Sequence, residues 1–171
     1  MDERRRKFEA QALPHLDAAY NLARWLAPAS ADDVVQDAML RAFRSFDGFR
    51  GGDVRPWLFA IVRNCARDHG RDTRRRGHVP LPDDDAVPLP DERPGPDALA
   101  EQASERRRLD AAIAALPEEF REVLILREME EMRYREIAGI AGVPVGTVMS
   151  RLSRARALLK HALAPTDGTN G

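Results

Sequence analysis

Cysteine is nearly missing from this chain. Cys65 stands alone, so no disulfide can form within it and nothing ties the fold to an oxidising compartment. Histidine is sparse too. His15, His69, His78 and His161 are scattered, with no clustered thiols or carboxylates beside them, and no metal site is expected. No apolar run approaches the ~18 residues of a membrane helix, and the basic start Arg4, Arg5, Arg6 and Lys7 leads only into a short, mixed stretch rather than a signal sequence. The expectation is a cytoplasmic protein without membrane insertion. Also missing are a nucleophile with a nearby base, a phosphate-binding glycine loop and paired carboxylates in a pocket-like context. No catalytic residue and no cofactor are therefore expected, and an enzyme is the least favoured class.

Net charge is small as well, −1 over 171 residues, which looks wrong for a partner of nucleic acid until it is divided along the chain. Residues 1–77 carry 15 bases and 11 acids, residues 78–105 one base and 8 acids, and residues 106–171 carry 11 bases and 9 acids. Two basic pieces flank an acidic strip. Phosphate attraction fades within a Debye length of ~8 to 10 Å, so local clustering of cations matters more than their total.

What is present is helical periodicity, interrupted once. The pattern predicts an all-α fold of two small helical domains, an N-terminal helical bundle over 1–77 and a C-terminal helix-turn-helix domain over 105–164. Between them lies a flexible, acidic, Pro-rich linker over 78–104, and a disordered tail follows over 165–171. The linker holds half of the prolines and the run Asp83, Asp84, Asp85, with few large apolar side chains to offset its ordering entropy. Its acidity serves solubility, or else imitates nucleic acid along a basic channel of a partner. Helices resume near Asp97, break at Leu116-Pro117, and restart at Glu118-Glu119 with Phe120, Val123, Leu124 and Leu126 as core.

The stretch from Arg133 to Lys160 has the order of a helix-turn-helix reader: a short helix, a Gly-Val-Pro turn and a long basic helix. Ala138 is small enough for close helix approach, Gly142 suits the left-handed end of a helix, and Pro144 suits a first turn. At 100° per residue, Val148, Leu152, Ala155 and Leu159 fall in one sector and face the core, whereas Ser150, Ser153 and Arg154 point outward. Arg151 and Arg156 flank them. Such a face suits a major groove, serines and one arginine toward base edges and flanking arginines toward phosphates. A solvated basic face on an ordinary bundle helix is the plainer alternative.

In the N-terminal half, a first helical stretch over residues 3–27 carries Leu13, Leu16, Ala19, Tyr20, Ala23 and Leu26 at core spacing, with Pro14 as a break or kink. A second helix, N-capped by Ser30, buries Val35, Ala38, Met39, Ala42, Phe43 and Phe46 and leaves Asp33, Gln36, Asp37, Arg41 and Arg44 on its polar face. A glycine loop over 49–55 precedes a helix with Pro56 in its first turn and Leu58, Ile61, Val62 and Cys65 as core. Arg63, Arg67, Arg71 and Arg74 form a stripe on its opposite face. Trp57 and Asn64 lie together on one flank, either as a stacking platform for an unpaired base beside the cations or as a core anchor and a surface amide.

The stretch DDVVQDAMLRAFRSFDGFRGGDVRPWLFAIVRNCARD, followed after the linker by LPEEFREVLILREMEEMRYREIAGIAGVPVGTVMSRLSRAR, closely resembles the extracytoplasmic-function (ECF) group of bacterial sigma factors. The resemblance covers about residues 13–76 and 109–163. It implies an initiation subunit that binds core RNA polymerase, directs it to promoter DNA and helps melt it, with an anti-sigma factor as a further partner. Carried over from the family, Asp33, Val35, Gln36, Asp37, Arg41 and Phe43 are expected to bind polymerase. Phe49, Arg50, Asp53, Arg55, Trp57, Arg63, Asn64 and Arg67 are expected to hold the single strand of the minus-ten element. Thr147, Ser150, Arg151, Ser153, Arg154 and Arg156 are expected to read the duplex minus-thirty-five element. Met149 stands where many members have Lys or Arg. An ordinary helix-turn-helix regulator would leave Trp57, Asn64 and the arginine stripe without a role, and a helical adaptor would bind no DNA at all.

Overall fold

Prolines and glycines set the breaks between helices. In the computed structural model, which describes residues 2–75 and 96–165, the described residues form eight α-helices, with no strand. The stretch expected as one helix over 3–27 is two, α1 (Asp2–Ala12) and α2 (Leu16–Leu26). Pro14 has no N–H for the helical ladder, and the chain passes it through one 3-10 turn, Leu13–His15. That turn directs Leu13 to solvent, and the buried positions are Phe8, Ala12, Ala19, Leu22 and Ala23.

Helix α3 (Ala31–Ser45) begins after Ser30, which holds the N-cap position without its side chain making a cap bond. Asp32 and Asp33 in the first turn favour the helix dipole instead. Val34, Val35, Ala38 and Ala42 are buried, while Met39, Phe43 and Phe46 lie at the margin of the core. Helix α4 (Val54–Arg75) starts two residues before Pro56, which still falls among the first residues whose N–H groups have no intrahelical partner. Its buried face is Leu58, Phe59, Val62, Cys65 and Ala66, with Ile61 only partly covered. α4 packs against both α2 and α3, which makes it the central element of this half.

The second half begins where helices are expected to resume, near Asp97, though within the span counted as linker. Pro96 opens α5 (Pro96–Ala114), followed by Asp97 in the first turn, so residues 96–104 are helix rather than linker. The remainder of the expected linker, through residue 95, and the tail from residue 166 lie outside the described residues. α6 (Glu118–Glu128), α7 (Tyr134–Ala141) and α8 (Val145–Ala162) follow. Val123, Leu124, Ile125, Leu126, Met132, Ile137, Val148 and Leu152 form their core, with Phe120 at its edge.

Each half is small for a core of its own. The halves pack on each other, α2 against α6 and α4 against α7, and one hydrophobic cluster runs from Phe8 to Ala155. Cys65 lies within it, fully buried. Burial pushes its thiol from 9.0 up to about 11, opposed in part by Arg41 nearby. Because the folded pKa is raised, the neutral thiol's contribution to stability is complete below pH 9.0 and is lost as pH climbs toward about 11. Urea denaturation of the parent chain and of Cys65→Ala should therefore diverge in pH dependence across that window. Iodoacetamide near neutral pH should label Cys65 only after unfolding.

Candidate nucleic-acid interface

The turn between α7 and α8 is built as its residues require. Gly142 takes φ +69°, and N–H groups of Gly142 and Val143 both donate to the carbonyl of Ala138, closing α7. At the other end of α7, Glu136 Oε1 accepts the Arg133 N–H at 3.0 Å. Pro144 is the N-cap of α8 rather than a first-turn residue, one position earlier than expected, and its carbonyl accepts the N–H groups of Thr147 and Val148. Val148, Leu152 and Ala155 are buried, and Leu159 is partly covered.

That packing fixes which side of α8 faces out. Ser150, Ser153 and Arg154 are exposed, with Met149 beside them, and Arg154 makes no ion pair among the described residues. The Ser150 hydroxyl donates to the Thr147 carbonyl at 3.1 Å, and Thr147 is half-buried. The flanking arginines are engaged by α6. Arg151 is 18% exposed and lies 3.8 Å from Glu119, while Arg156 pairs with Glu128 at 2.7 Å, which raises the pKa of its guanidinium. Of the six expected duplex contacts, Ser150, Ser153 and Arg154 are thus exposed, and Arg151 and Arg156 are held in ion pairs at the edge.

In the first half, Gly51 and Gly52 take φ near +90°, a conformation open to glycine, and turn the chain into α4. Phe49 stacks on Phe46 at 6.1 Å and meets Trp57 at 5.1 Å, so Trp57 is neither an open platform nor a core anchor but one half-buried wall of an aromatic cluster. Arg50 and Asn64 are exposed. Asp53 is used locally: its Oδ1 accepts the Arg55 N–H at 3.0 Å, the bond of a helix cap, and its Oδ2 pairs with the Arg55 guanidinium at 3.4 Å.

Arg63 and Arg67 depart most from expectation. Instead of lining an open face, both turn toward Glu122 of α6, Arg63 Nε at 2.5 Å and Arg67 at 3.4 Å, and Arg63 also donates to the carbonyl of Ala141 at 3.2 Å. The Glu122 side chain is 1% exposed. Four consecutive apolar residues after it, Val123 to Leu126, were the signal for its burial, since a helix apolar on all sides there leaves an adjacent acid little access to water.

On α3, Asp33, Gln36 and Arg41 are exposed and Asp37 is partly so; Arg41 bridges Asp37 and Asp68, each at 2.9 Å. Val35 is 6% exposed and belongs to the core with Ala31, Ala38 and Ala42, so it supports this surface from beneath and cannot form it. Phe43 is half-buried between the edge of Phe8 and the guanidinium of Arg4. Arg4, in sequence only part of a basic start, has a specific place here. It donates to the carbonyls of Phe43 and Arg44, at 2.7 and 3.1 Å, and pairs with Asp47 at 3.2 Å, closing the C-terminal end of α3.

Residues 13–76 match the sigma-70 region 2 family and residues 106–159 match sigma-70 region 4. The chain is 33% identical over 153 residues to the ECF RNA polymerase sigma-E factor of Escherichia coli, an alignment covering 84% of this chain and 79% of the relative. The chain belongs to the ECF sigma factors. Against the ECF sigma factor SigE of Mycolicibacterium smegmatis the identity is 36% over 156 residues, covering 88% of this chain but 59% of that longer protein. Among solved structures, the sigma factor RpoE in complex with the anti-sigma factor NepR, from Bartonella quintana, superposes with a TM-score of 0.72 at 28% identity, covering 94% of this chain and 98% of RpoE. CnrH in complex with the cytosolic domain of CnrY gives 0.66 at 28% identity, covering 93% and 88%. Members of this family direct RNA polymerase to promoters to begin transcription, which makes this ECF sigma factor a transcription initiation factor.

The local role of Asp53 is separable from any contact with DNA. Asp53→Ala should cost about 1 kcal/mol in urea denaturation of the free sigma factor, whereas Asp53→Asn, an equally good cap, should cost little.

Proposed function

We propose that this ECF sigma factor binds core RNA polymerase, brings it to specific promoters and helps open them, by binding and strand capture with no covalent step. The observation that carries the reading is the outward face of α8, where Ser150, Ser153 and Arg154, which makes no ion pair among the described residues, project from the second helix of a helix-turn-helix. This geometry suits the major groove of the minus-thirty-five element, with hydroxyls and guanidinium toward base edges and Thr147, Arg151 and Arg156 at the border toward the backbone. Residues 105–164 form the unit assigned to this duplex contact.

Residues 1–77 form the unit assigned to polymerase and to the melted strand. Asp33, Gln36, Asp37 and Arg41 on α3, with the rim of Phe43, offer a charged surface to polymerase. Phe49, Arg50, Arg55, Trp57 and Asn64 surround the entrance to α4, where an unpaired base of the minus-ten element would rest against the aromatic cluster while Arg63 and Arg67 meet phosphates. Holding bases out of the stack is worth a few kcal/mol each, the scale needed to favour an open promoter. RpoE was solved with the anti-sigma factor NepR, which supports an anti-sigma factor as a partner here. Among the described residues no helix is long and apolar enough to cross a membrane, and the cytoplasm, where polymerase works, is the assigned place of action.

In vitro transcription with purified core enzyme on a promoter library tests the reading. Transcripts from a defined subset of promoters are expected only when the chain is added; an unchanged transcript pattern would contradict it. On a promoter found this way, Arg154→Ala should weaken recognition of the upstream element by roughly 1 to 3 kcal/mol and relax its sequence preference. Equal loss on every sequence would assign Arg154 to the phosphate backbone. Asn64→Ala should leave closed-complex binding intact and slow promoter opening, as followed by permanganate reactivity of unpaired thymines.

A further inference from the structure

The leading half of α8 is nearly without charge on its outer surface. Between Val145 and Ser153 the one ionised side chain is Arg151, which is 18% exposed and held near Glu119 of α6. What remains exposed there is Val145, Gly146, Met149, Ser150 and Ser153. Two of these are large and apolar, Val145 at 37% and Met149 at 54% exposure, and their separation of one helical turn places them on the same flank. A lone exposed methionine would need no explanation, but this pair stands in the portion of the second helix that a helix-turn-helix leads into the major groove. Such a surface lacks the cations that phosphates demand.

In the major groove the apolar group on offer is the 5-methyl of thymine, and methionine, unbranched and polarisable, is suited to cover it. The neighbouring hydroxyl sharpens the match. Ser150 donates its proton to the Thr147 carbonyl at 3.1 Å, so the lone pairs of its oxygen are what it presents outward. An acceptor beside an apolar surface is the complement of an A·T pair, whose major-groove edge shows the amino donor of adenine and the methyl of thymine. We propose that Met149, with Val145 beside it, is a specificity-determining residue that reads the 5-methyl group of a thymine in the upstream promoter element. The inference rests on the assignment of α8 to duplex DNA. It adds to the contacts of Ser153 and Arg154 one that uses neither charge nor hydrogen bond, and it commits one position of the element to an A·T pair in one orientation.

Deoxyuridine in place of thymine removes the methyl and leaves base pairing unchanged. On a promoter that core polymerase transcribes only with this chain, the thymines of both strands of the upstream element are replaced one at a time, and binding of the complete holoenzyme to each duplex is measured by competition. Replacement at one position should weaken binding about fourfold, the scale of one methyl group withdrawn from an apolar contact. Met149→Ala should bind the thymine duplex about as weakly as the parent binds the uracil duplex, and should no longer distinguish the two. Met149→Leu, apolar and of similar size, should keep the discrimination. Indifference of the parent to every replacement would overturn the inference, as would a methyl effect that persists in Met149→Ala or disappears equally in Met149→Leu. A chain that directs polymerase to no promoter would contradict the sigma-factor reading itself; promoter-specific transcription blind to every thymine methyl would contradict the role of Met149 alone.

Discussion

Where Arg63 and Arg67 meet Glu122, a carboxylate closed to water pairs with two partly exposed guanidinium groups of the other half, and this contact, with the apolar cluster around it, joins the two halves of the chain. Each half alone is too short to enclose a large core, and the apolar cluster from Phe8 to Ala155 continues across the boundary. A purely apolar boundary would favour one fixed association. The polar centre favours one that a competitor for the same guanidinium groups can dissolve.

The two surfaces proposed for nucleic acid differ accordingly. On α8 the reading side is complete in the closed chain, because burial of Val148, Leu152 and Ala155 turns Ser150, Ser153 and Arg154 outward whatever the first half does. On α4 the aromatic cluster and Asn64 are in place, but the cations beside them are engaged. The outward side of α8 proposed for duplex DNA is therefore open, while the arginines of α4 proposed for the unpaired strand are engaged by Glu122. That asymmetry fits the order of events at a promoter, where paired DNA is met before unpaired DNA.

Periodicity and turn chemistry made the second half readable from its residues. Val148, Leu152 and Ala155 repeat with the helix, and Gly142 supplies the one left-handed residue that the turn between α7 and α8 needs. Pro14 announced an interruption, though only the packing decided that it would be a full 3-10 turn that exposes Leu13. Val35 was assigned to a partner surface by resemblance, while its neighbours Ala31, Ala38 and Ala42 place it in the core. Asp53 joins the strand contacts by resemblance alone, and its cap bond to the Arg55 N–H, a local role the resemblance does not reveal, shows only in the structure. Glu122 was the hardest case. Its partner Arg63 lies 59 residues earlier, and a long-range ion pair leaves no periodic trace.

If the halves act at separate promoter elements, polymerase must hold them apart. Dyes on exposed positions of α3 and α8, compared in the free chain and in a transcriptionally active complex with core polymerase and promoter DNA, would report this directly by energy transfer. Efficient transfer in the free chain and its loss in the active complex is the predicted result. Undiminished transfer in the active complex would mean that the closed arrangement is itself the working form, and would contradict the account.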